Sequence, residues 1–135
     1  MSTASPTIED INELVAQAAI AADSAMGTET EAFYVAEHLA ITDWFVVTTG
    51  RNPRAVRALV DKVEEALTTK YSVKPLTIEG KVEGEWVLMD YGDFVVHVFG
   101  SEARNYYDLG RLWQDVPRMK IEFEQRGDAE EPIAG

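Results

Sequence analysis

Two apolar stretches joined by two residues constrain the fold of this chain more than any other feature. Residues 85–90 read EWVLMD, residues 93–99 read DFVVHVF, and Tyr91 and Gly92 lie between them. Stretches rich in β-branched and aromatic residues favour strands, and a two-residue connection with glycine favours a tight turn. The sequence therefore predicts a β-hairpin with Tyr91-Gly92 as its loop.

The predicted loop fixes which residues of the hairpin lie opposite each other, and it pairs Asp90 with Asp93 and Trp86 with His97. Successive side chains of a strand point to opposite sides of the sheet, so the hairpin has two faces. The first face is apolar throughout and comprises Val87, Met89, Phe94, Val96 and Val98. The second face mixes apolar, acidic and imidazole side chains and comprises Trp86, Leu88, Asp90, Asp93, Val95 and His97.

The mixed composition of the second face has two interpretations. Large apolar side chains with charges around them are typical of a protein-binding surface. Asp90 and Asp93, placed opposite each other, repel when both are ionised, and a basic partner would remove that repulsion. Alternatively, the apolar residues pack under a second helix, the aspartates serve the turn, and His97 is a satisfied core histidine. The residues alone leave both interpretations open.

The middle of the chain predicts a strand, a turn and a helix in direct succession. Residues 44–49 (WFVVTT) form an apolar run of strand length that is followed by Gly50. Asn52 and Pro53 suit the N-cap and the first position of a helix, and apolar residues at helical spacing continue towards Tyr71. A strand followed by a glycine turn and a helix is typical of α/β architecture.

Weaker patterns supply the remaining elements of an α/β fold. They are a helix that is capped by Ser5 or Thr7 and ends at Gly27, strands over 32–38 and 76–79, and short helices capped by Ser101 and Asp108. The expected result is a single domain over residues 7–117, with helices packed on a mixed sheet of about five strands. Residues 118–135 form an acidic tail that we expect to be disordered.

The net charge restricts the classes of partner. With 24 acidic and 12 basic residues among 135, the chain carries a charge of −12, and such a surface repels nucleic-acid phosphates and anionic lipids. A basic protein is the favoured partner, and neither a membrane nor sequence-specific nucleic acid is expected. The chain has no cysteine, no signal-peptide pattern and no apolar run of membrane length, so we expect a soluble, cytoplasmic protein.

Catalytic patterns in the sequence are weak. The turn over residues 48–53 precedes a helix, where backbone amides can hold an anion, but it lacks the glycine and lysine pattern of phosphate-binding loops. Asp90 and Asp93, with Asp43, could hold Mg²⁺ in a divergent nucleotidyltransferase, which is the competing enzymatic interpretation. The two histidines form no recognisable zinc site. We predict no catalytic residue, no metal and no cofactor.

Three long stretches of the chain share a specific pattern with a known family. They are TDWFVVTTGRNPRAVRALVDKVEEAL (residues 42–67), EWVLMDYGDFVVHVF (85–99) and EARNYYDLGRLWQDVP (102–117). Together they resemble the ribosomal silencing factor family, RsfS, also called Iojap, over about residues 8–117. The resemblance implies a fold related to nucleotidyltransferases without their catalytic acids. In agreement, Arg51 follows Gly50 where such enzymes use serine, and no Asp-x-Asp occurs.

The resemblance implies a regulatory function without catalysis. Members of the family bind the large ribosomal subunit through ribosomal protein L14, near the surface on which the small subunit docks. Occupation of that surface blocks subunit joining and lowers translation during nutrient limitation or in stationary phase. Members also form homodimers, so a homodimer is a further expectation. A homodimeric scaffold without a ribosomal role is a third interpretation of the sequence.

The resemblance and the second face of the hairpin indicate the same residues. Trp86, Leu88 and Val95 are expected to form the apolar centre of the partner-binding surface. Asp90 and Asp93 are expected to pair with lysine or arginine of the partner. The remaining predicted site residues are His97, which supports Trp86 across the strands, and Arg104 and Tyr107, which resemble an arginine and a tyrosine of the family.

Overall fold

Five strands form one sheet in the computed structural model of the protein, which describes residues 8–123. The strands are β1 (Thr28–Tyr34), β2 (Trp44–Gly50), β3 (Thr77–Glu79), β4 (Trp86–Asp90) and β5 (Phe94–Gly100). Their order across the sheet is β1-β2-β5-β4-β3, with β2 and β5 parallel and the other neighbours antiparallel. The prediction of an α/β fold with a mixed sheet of about five strands is confirmed.

Helices pack on both faces of this sheet. They are α1 (Ile8–Ser24), α2 (Pro53–Tyr71), α3 (Ser101–Tyr107) and α4 (Leu109–Leu112). The apolar residues of α1 and α2 form the larger core on the first face, whereas α3 and α4 contribute to a smaller core on the second face. The sheet is therefore covered by long helices on one side and only by short helices on the other.

The residues predicted to begin α2 take the positions that the sequence predicts for them. The Asn52 side chain accepts a hydrogen bond from the Ala55 backbone N–H at 2.8 Å, and Pro53 occupies the first turn. The helix ends at Tyr71, and Ser72 follows in the left-handed region with a φ of 58°. The apolar stripe of α2 is buried and comprises Val56, Leu59, Val60, Val63 and Leu67. This stripe holds α2 on the first face of the sheet.

The end of α1 differs from the prediction that Gly27 terminates it. The helix ends at Ser24, and Met26 rather than Gly27 takes the left-handed backbone, with a φ of 76°. Glycine at position 27 serves close packing instead, because a Cβ atom there would collide with the Oγ1 atom of Thr48. The absence of a side chain thus lets the end of α1 approach β2. The caps predicted for the start of α1 lie outside the described residues.

The edge strands are displaced from their predicted ranges. β1 spans Thr28–Tyr34 rather than 32–38, because the chain turns back after Val35, whose N–H donates to the Asp43 carbonyl at 2.8 Å. The first half of β1 has the sequence TETE and is exposed or half-buried. Because these side chains are polar, this half lacks the apolar run on which a strand prediction depends. β3 begins at Thr77, one residue later than expected.

The predicted hairpin is present, but its register differs by two residues from the prediction. The Tyr91 N–H donates to the Phe94 carbonyl at 2.9 Å, so Gly92 and Asp93 are the two loop residues. Gly92 has a φ of 89°, and its N–H donates to the Asp90 carboxylate at 2.8 Å. The observed pairs are Trp86 with Phe99, Leu88 with His97, and Asp90 with Val95. The predicted opposition of Asp90 and Asp93, and of Trp86 and His97, is therefore wrong.

The two short helices differ in how they begin. Ser101, predicted as a cap, is the first helical residue of α3, and Gly100 precedes it in extended conformation without a side-chain cap. Asp108 caps α4 as predicted, and its carboxylate accepts from the Arg111 N–H at 3.4 Å. The φ of Asp108 is 44°, so this residue also turns the chain sharply between α3 and α4.

The chain after α4 returns to the edge of β1. The Tyr34 N–H donates to the Pro117 carbonyl at 2.8 Å, and the Met119 N–H donates to the Ala32 carbonyl at 3.0 Å. The Arg118 guanidinium lies 5.0 Å from the centre of the Phe33 ring. Residues 118–123 thus pack beside β1, and the rest of the expected tail, residues 124–135, lies outside the described residues. A domain end at Pro117 stays a prediction.

Candidate functional site

The first face of the hairpin belongs to the core, as its apolar composition predicts. Its five residues, Val87, Met89, Phe94, Val96 and Val98, are at most 1% exposed, and they lie in one core cluster with residues of α1 and α2. A two-residue difference in register leaves every side chain on its predicted face, because the side-chain period of a strand is two. A partner-binding surface on the hairpin can therefore only use the second face or the loops.

The second face consists of rows of side chains that run across the strands. One row contains Phe33, Phe45, Val95, Asp90 and Thr77. The next row contains Glu31, Val47, His97, Leu88 and Glu79, and a third contains Thr49, Phe99 and Trp86. The structure therefore brings five of the predicted site residues onto one continuous face.

Short helices close one part of this face. Phe33, Val35, Val47, Phe99, Leu109 and Val116 form the smaller core, with Trp86, Phe45 and Trp113 packed against it. Leu88 and Asp90 remain half-buried. Val95, which lies between Phe45 and Asp90 in its row, is buried at 8% exposure. We call the half-buried residues Phe45, Leu88 and Asp90, together with Val95 between them, the open part of the second face.

Trp86 joins the open part to the smaller core. Its Nε1 atom donates to the Nδ1 atom of His97 at 3.1 Å. Its ring stacks on Phe99, with ring centres 4.9 Å apart, and contacts Tyr107 at 4.5 Å. Trp86 and His97 are thus in contact, as the sequence suggests, but from neighbouring rows rather than from opposite positions. The indole is partly a structural element, and its role in binding stays a prediction.

Burial keeps His97 neutral. The side chain is 5% exposed, and burial lowers its pKa from 6.5 to about 4. Since Nδ1 accepts from Trp86, the neutral ring carries its proton on Nε2, which finds no hydrogen-bond acceptor among the described residues. The edge of the ring meets Phe45 at a centre-to-centre distance of 4.5 Å. His97 therefore acts as part of an aromatic cluster rather than as a charged contact.

Lowering the pH from 7.5 to 5 is expected to reduce the free energy of unfolding by about 2 kcal/mol through His97 alone. The unfolded histidine takes up a proton near pH 6.5, whereas the buried ring remains neutral until the pH approaches 4. Between pH 7.5 and 5 the unfolded state therefore binds more protons than the folded state. Lowering the pH stabilises the unfolded state relative to the folded one. Urea denaturation at both pH values measures the loss.

A matched pair of variants isolates this contribution. His97→Gln removes the buried titrating group and should abolish about 2 kcal/mol of the pH dependence. His38→Gln removes the other histidine, which is exposed, and should keep the dependence. The same pH dependence in His97→Gln as in the parent chain would contradict the burial of a neutral imidazole.

Arg104 and Tyr107 lie on α3 and differ in their exposure. Arg104 is 9% exposed, and its Nη1 atom donates to the Thr49 Oγ1 atom at 2.7 Å. Its Nη2 atom lies 3.5 Å from a carboxylate oxygen of Glu31. These contacts fix α3 to β1 and β2, so Arg104 is mainly a structural residue. Tyr107 is 46% exposed and covers Trp86, so it lies at the border between the smaller core and solvent.

The two aspartates of the hairpin have separate surroundings. Asp90 holds the loop through the Gly92 N–H, while Asp93 is an exposed loop residue whose carbonyl accepts from the Asp43 N–H at 2.9 Å. Within residues 8–123, no group of three or more potential metal-ligating side chains could hold a metal ion. The same part of the chain contains no helix that is long and apolar enough to cross a membrane.

Sequence reasoning missed two aromatic residues of the second face. Phe45 lies beside Val95 because β2 and β5 are parallel, and Trp113 packs at 5.9 Å from Phe45. The apolar run 44–49 gave no sign of which side chains would be half-buried. Trp113 falls after the predicted cap Asp108, and only the return of the chain to the sheet brings it to this face. The composition of the hairpin was enough to identify the second face. The contribution of Phe45 and Trp113 to that face depends on contacts between distant segments, which the sequence did not indicate.

Comparison with known proteins places this geometry in a family. A family model described as "Ribosomal silencing factor during starvation" matches residues 8–134. The chain is 34% identical over 83 residues to the ribosomal silencing factor RsfS of Bacillus subtilis, which covers 62% of this chain and 70% of that protein. It is 35% identical over 75 residues to the mouse protein named "Mitochondrial assembly of ribosomal large subunit protein 1", which covers 53% of this chain and 32% of the mouse protein.

Structural similarity agrees with the sequence comparisons. A crystal structure of a protein from Chromobacterium violaceum superposes with a TM-score of 0.70 at 30% sequence identity, which covers 90% of this chain and 95% of that one. The family match extends over all of the described residues, including the hairpin and α3. The chain therefore belongs to the ribosomal silencing factor family, a family of ribosome-associated regulatory proteins.

Proposed function

We propose that the protein represses translation by binding the large ribosomal subunit through ribosomal protein L14 and by blocking association with the small subunit. The observation that carries this proposal is the family match over residues 8–134. The name of the mouse relative, which refers to assembly of the ribosomal large subunit, supports the choice of subunit. In this proposal the protein acts in the cytoplasm, without a catalytic step, a metal or a cofactor.

The open part of the second face is the proposed contact surface. Leu88 supplies its apolar centre and Phe45 extends it towards β2. Val95, which the sequence predicts as part of that centre, is only 8% exposed and adds little accessible area. Asp90, with Asp93 in the adjacent loop, supplies negative charge at one side. An apolar centre with acidic surroundings suits a basic partner, and the overall charge of −12 favours approach to such a protein over approach to bare RNA.

Sedimentation with separated ribosomal subunits tests the proposed function. The purified protein should co-migrate with the large subunit and not with the small one, and it should reduce the fraction of joined ribosomes in a subunit-joining assay. Large subunits that lack L14 should fail to retain the protein. Absence of co-migration with the large subunit, even at low salt, would exclude the ribosomal role for this chain.

The alternative occupant of the open part is a second copy of this chain, which would form a homodimer through the same face. Because the chain has no cysteine, Leu88→Cys would introduce a single thiol at the centre of this surface. Rapid disulfide crosslinking of the free protein would show that two copies meet through this face. Protection of the thiol from a maleimide reagent only when large subunits are added would favour the ribosomal contact.

A further inference from the structure

A cleft of about 620 Å³ opens at the carboxyl ends of β2 and β5, at the opposite end of β5 from the hairpin loop. The last residues of these parallel strands, Gly50 and Gly100, are register partners. α2 follows Gly50 and packs Val56 in the core on the first face, whereas α3 follows Gly100 and packs Ala103 on the second face. Such a divergence of helices after neighbouring parallel strands creates the crevice in which α/β proteins bind small ligands.

Two tyrosines give the cleft an aromatic wall. Tyr106 and Tyr107 both line it, and Tyr106 is 82% exposed. The two rings meet edge to face with centres 4.9 Å apart, and Tyr107 in turn packs on Trp86. Tyr106 therefore presents an accessible ring that contacts Tyr107 edge to face, and Tyr107 is itself held by Trp86. An exposed, supported ring of this kind is suited to stacking with a nucleobase.

The charged side chains of the cleft indicate which groups a ligand would carry beside an aromatic base. Arg51 lines the cleft and forms no ion pair or hydrogen bond with the described residues, so its guanidinium is available to a phosphate. Glu85 and Glu102 line the same cleft, and carboxylates accept hydrogen bonds from ribose hydroxyls. Because the Asn52 side chain already caps α2, phosphate recognition rests on Arg51 rather than on the helix.

We propose that this cleft binds a free nucleoside 5′-monophosphate. The base stacks on Tyr106, the ribose hydroxyls donate to Glu85 or Glu102, and the phosphate pairs with Arg51. One arginine beside two carboxylates, on a chain of charge −12, disfavours the larger charge of a triphosphate. The cleft volume falls within the roughly 300–1,000 Å³ of small-molecule sites. The site is separate from the open part of the second face, so this proposal does not depend on the ribosomal role.

Isothermal titration calorimetry of the full chain with the four ribonucleoside 5′-monophosphates tests the proposal. At least one of them should bind with saturable, one-site behaviour, and its triphosphate should bind more weakly. Arg51→Ala and Tyr106→Ala should each lower the affinity by at least about tenfold, since each removes a direct ligand contact. Both side chains are exposed, so neither change should alter the thermal unfolding midpoint.

Matched variants separate the cleft from general surface effects. Arg54→Ala removes the same charge from α2 outside the cleft lining, and Leu112→Ala removes an apolar side chain that is 68% exposed on α4. Both variants should bind the nucleotide like the parent chain. No saturable binding of any monophosphate at millimolar concentration would overturn the proposal, and so would an equal loss in Arg51→Ala and Arg54→Ala. Tighter binding of a single-stranded RNA tetranucleotide would overturn the assignment to a free nucleotide.

Discussion

The Leu88→Lys variant is expected to bind the large ribosomal subunit at least about 30-fold more weakly than the parent chain, a loss of about 2 kcal/mol. Leu88 lies at the centre of the open part, between His97 and Glu79 in its row. A lysine there would place a positive charge in the apolar centre of a surface proposed to meet a basic protein. Sedimentation binding with purified large subunits, at several protein concentrations, measures the effect.

The same variant should keep the fold of the parent chain. The aliphatic part of lysine can cover the strand as leucine does, and its ammonium group can reach the exposed carboxylate of Glu79 on β3. The free energy of unfolding from urea denaturation should therefore change by less than about 1 kcal/mol. A variant that binds poorly and also unfolds early would not distinguish a contact residue from a structural one, so both measurements are needed.

Val82→Lys is the matched control for this substitution. It makes the same change of net charge at a side chain that is 87% exposed and lies in the turn between β3 and β4. Its affinity for the large subunit should equal that of the parent chain. Equal losses in the two variants would show that total charge governs binding, and unchanged affinity in Leu88→Lys would remove the open part from the interface.

Leu88 gives a cleaner test of the surface than Trp86 does. The sequence favours Trp86 as the main anchor, but its indole also donates to His97 and stacks on Phe99 beneath Tyr107. Removal of this side chain would disturb the smaller core together with any partner contact. A loss of binding in Trp86→Ala would therefore have two explanations. Leu88 is half-buried and is not among the described residues that pack in either core cluster.

The period of the hydrophobic pattern explains why the two faces could be predicted while the register could not. Alternation of apolar residues assigns each side chain to a face, and a difference of two residues in register preserves that assignment. The register itself depends on the turn. Gly92 takes a φ of 89° as the first loop residue, and the Asp90 carboxylate stabilises this arrangement. The spacing of the two strands is compatible with either position of the glycine, so only the local geometry selects one.

Contacts between distant parts of the chain explain the other differences. Arg104 appears on a short polar helix, where an exposed position is the ordinary expectation, yet it is buried because Thr49 and Glu31 lie opposite it. Likewise, the parallel pairing of β2 with β5 brings Phe45 beside Val95. Neither contact can be predicted from the residues next to it in the sequence. Most elements of this fold are therefore encoded locally, with the first half of β1 as an exception. Tertiary packing determines which residues of the second face are covered by the short helices.

Phe99→Ala is expected to have the largest effect on stability, a loss of about 3–5 kcal/mol in the free energy of unfolding. The side chain is fully buried, lies opposite Trp86, and packs within the smaller core. Truncation would remove its apolar contacts and leave a cavity between β5 and α3. Urea denaturation followed by far-UV circular dichroism measures the loss, which is a large fraction of the stability of a domain of this size.

Phe99→Leu separates lost volume from lost aromatic stacking, because it keeps a buried apolar side chain of similar size. It should cost no more than about 1.5 kcal/mol, so the two variants should differ clearly. If Phe99→Ala is no less stable than Phe99→Leu, the smaller core does not depend on filling this position. With the expected difference, folded Phe99→Leu should retain large-subunit binding, because the open part around Leu88 remains intact. Stability and binding would then depend on adjacent but separate parts of one sheet face.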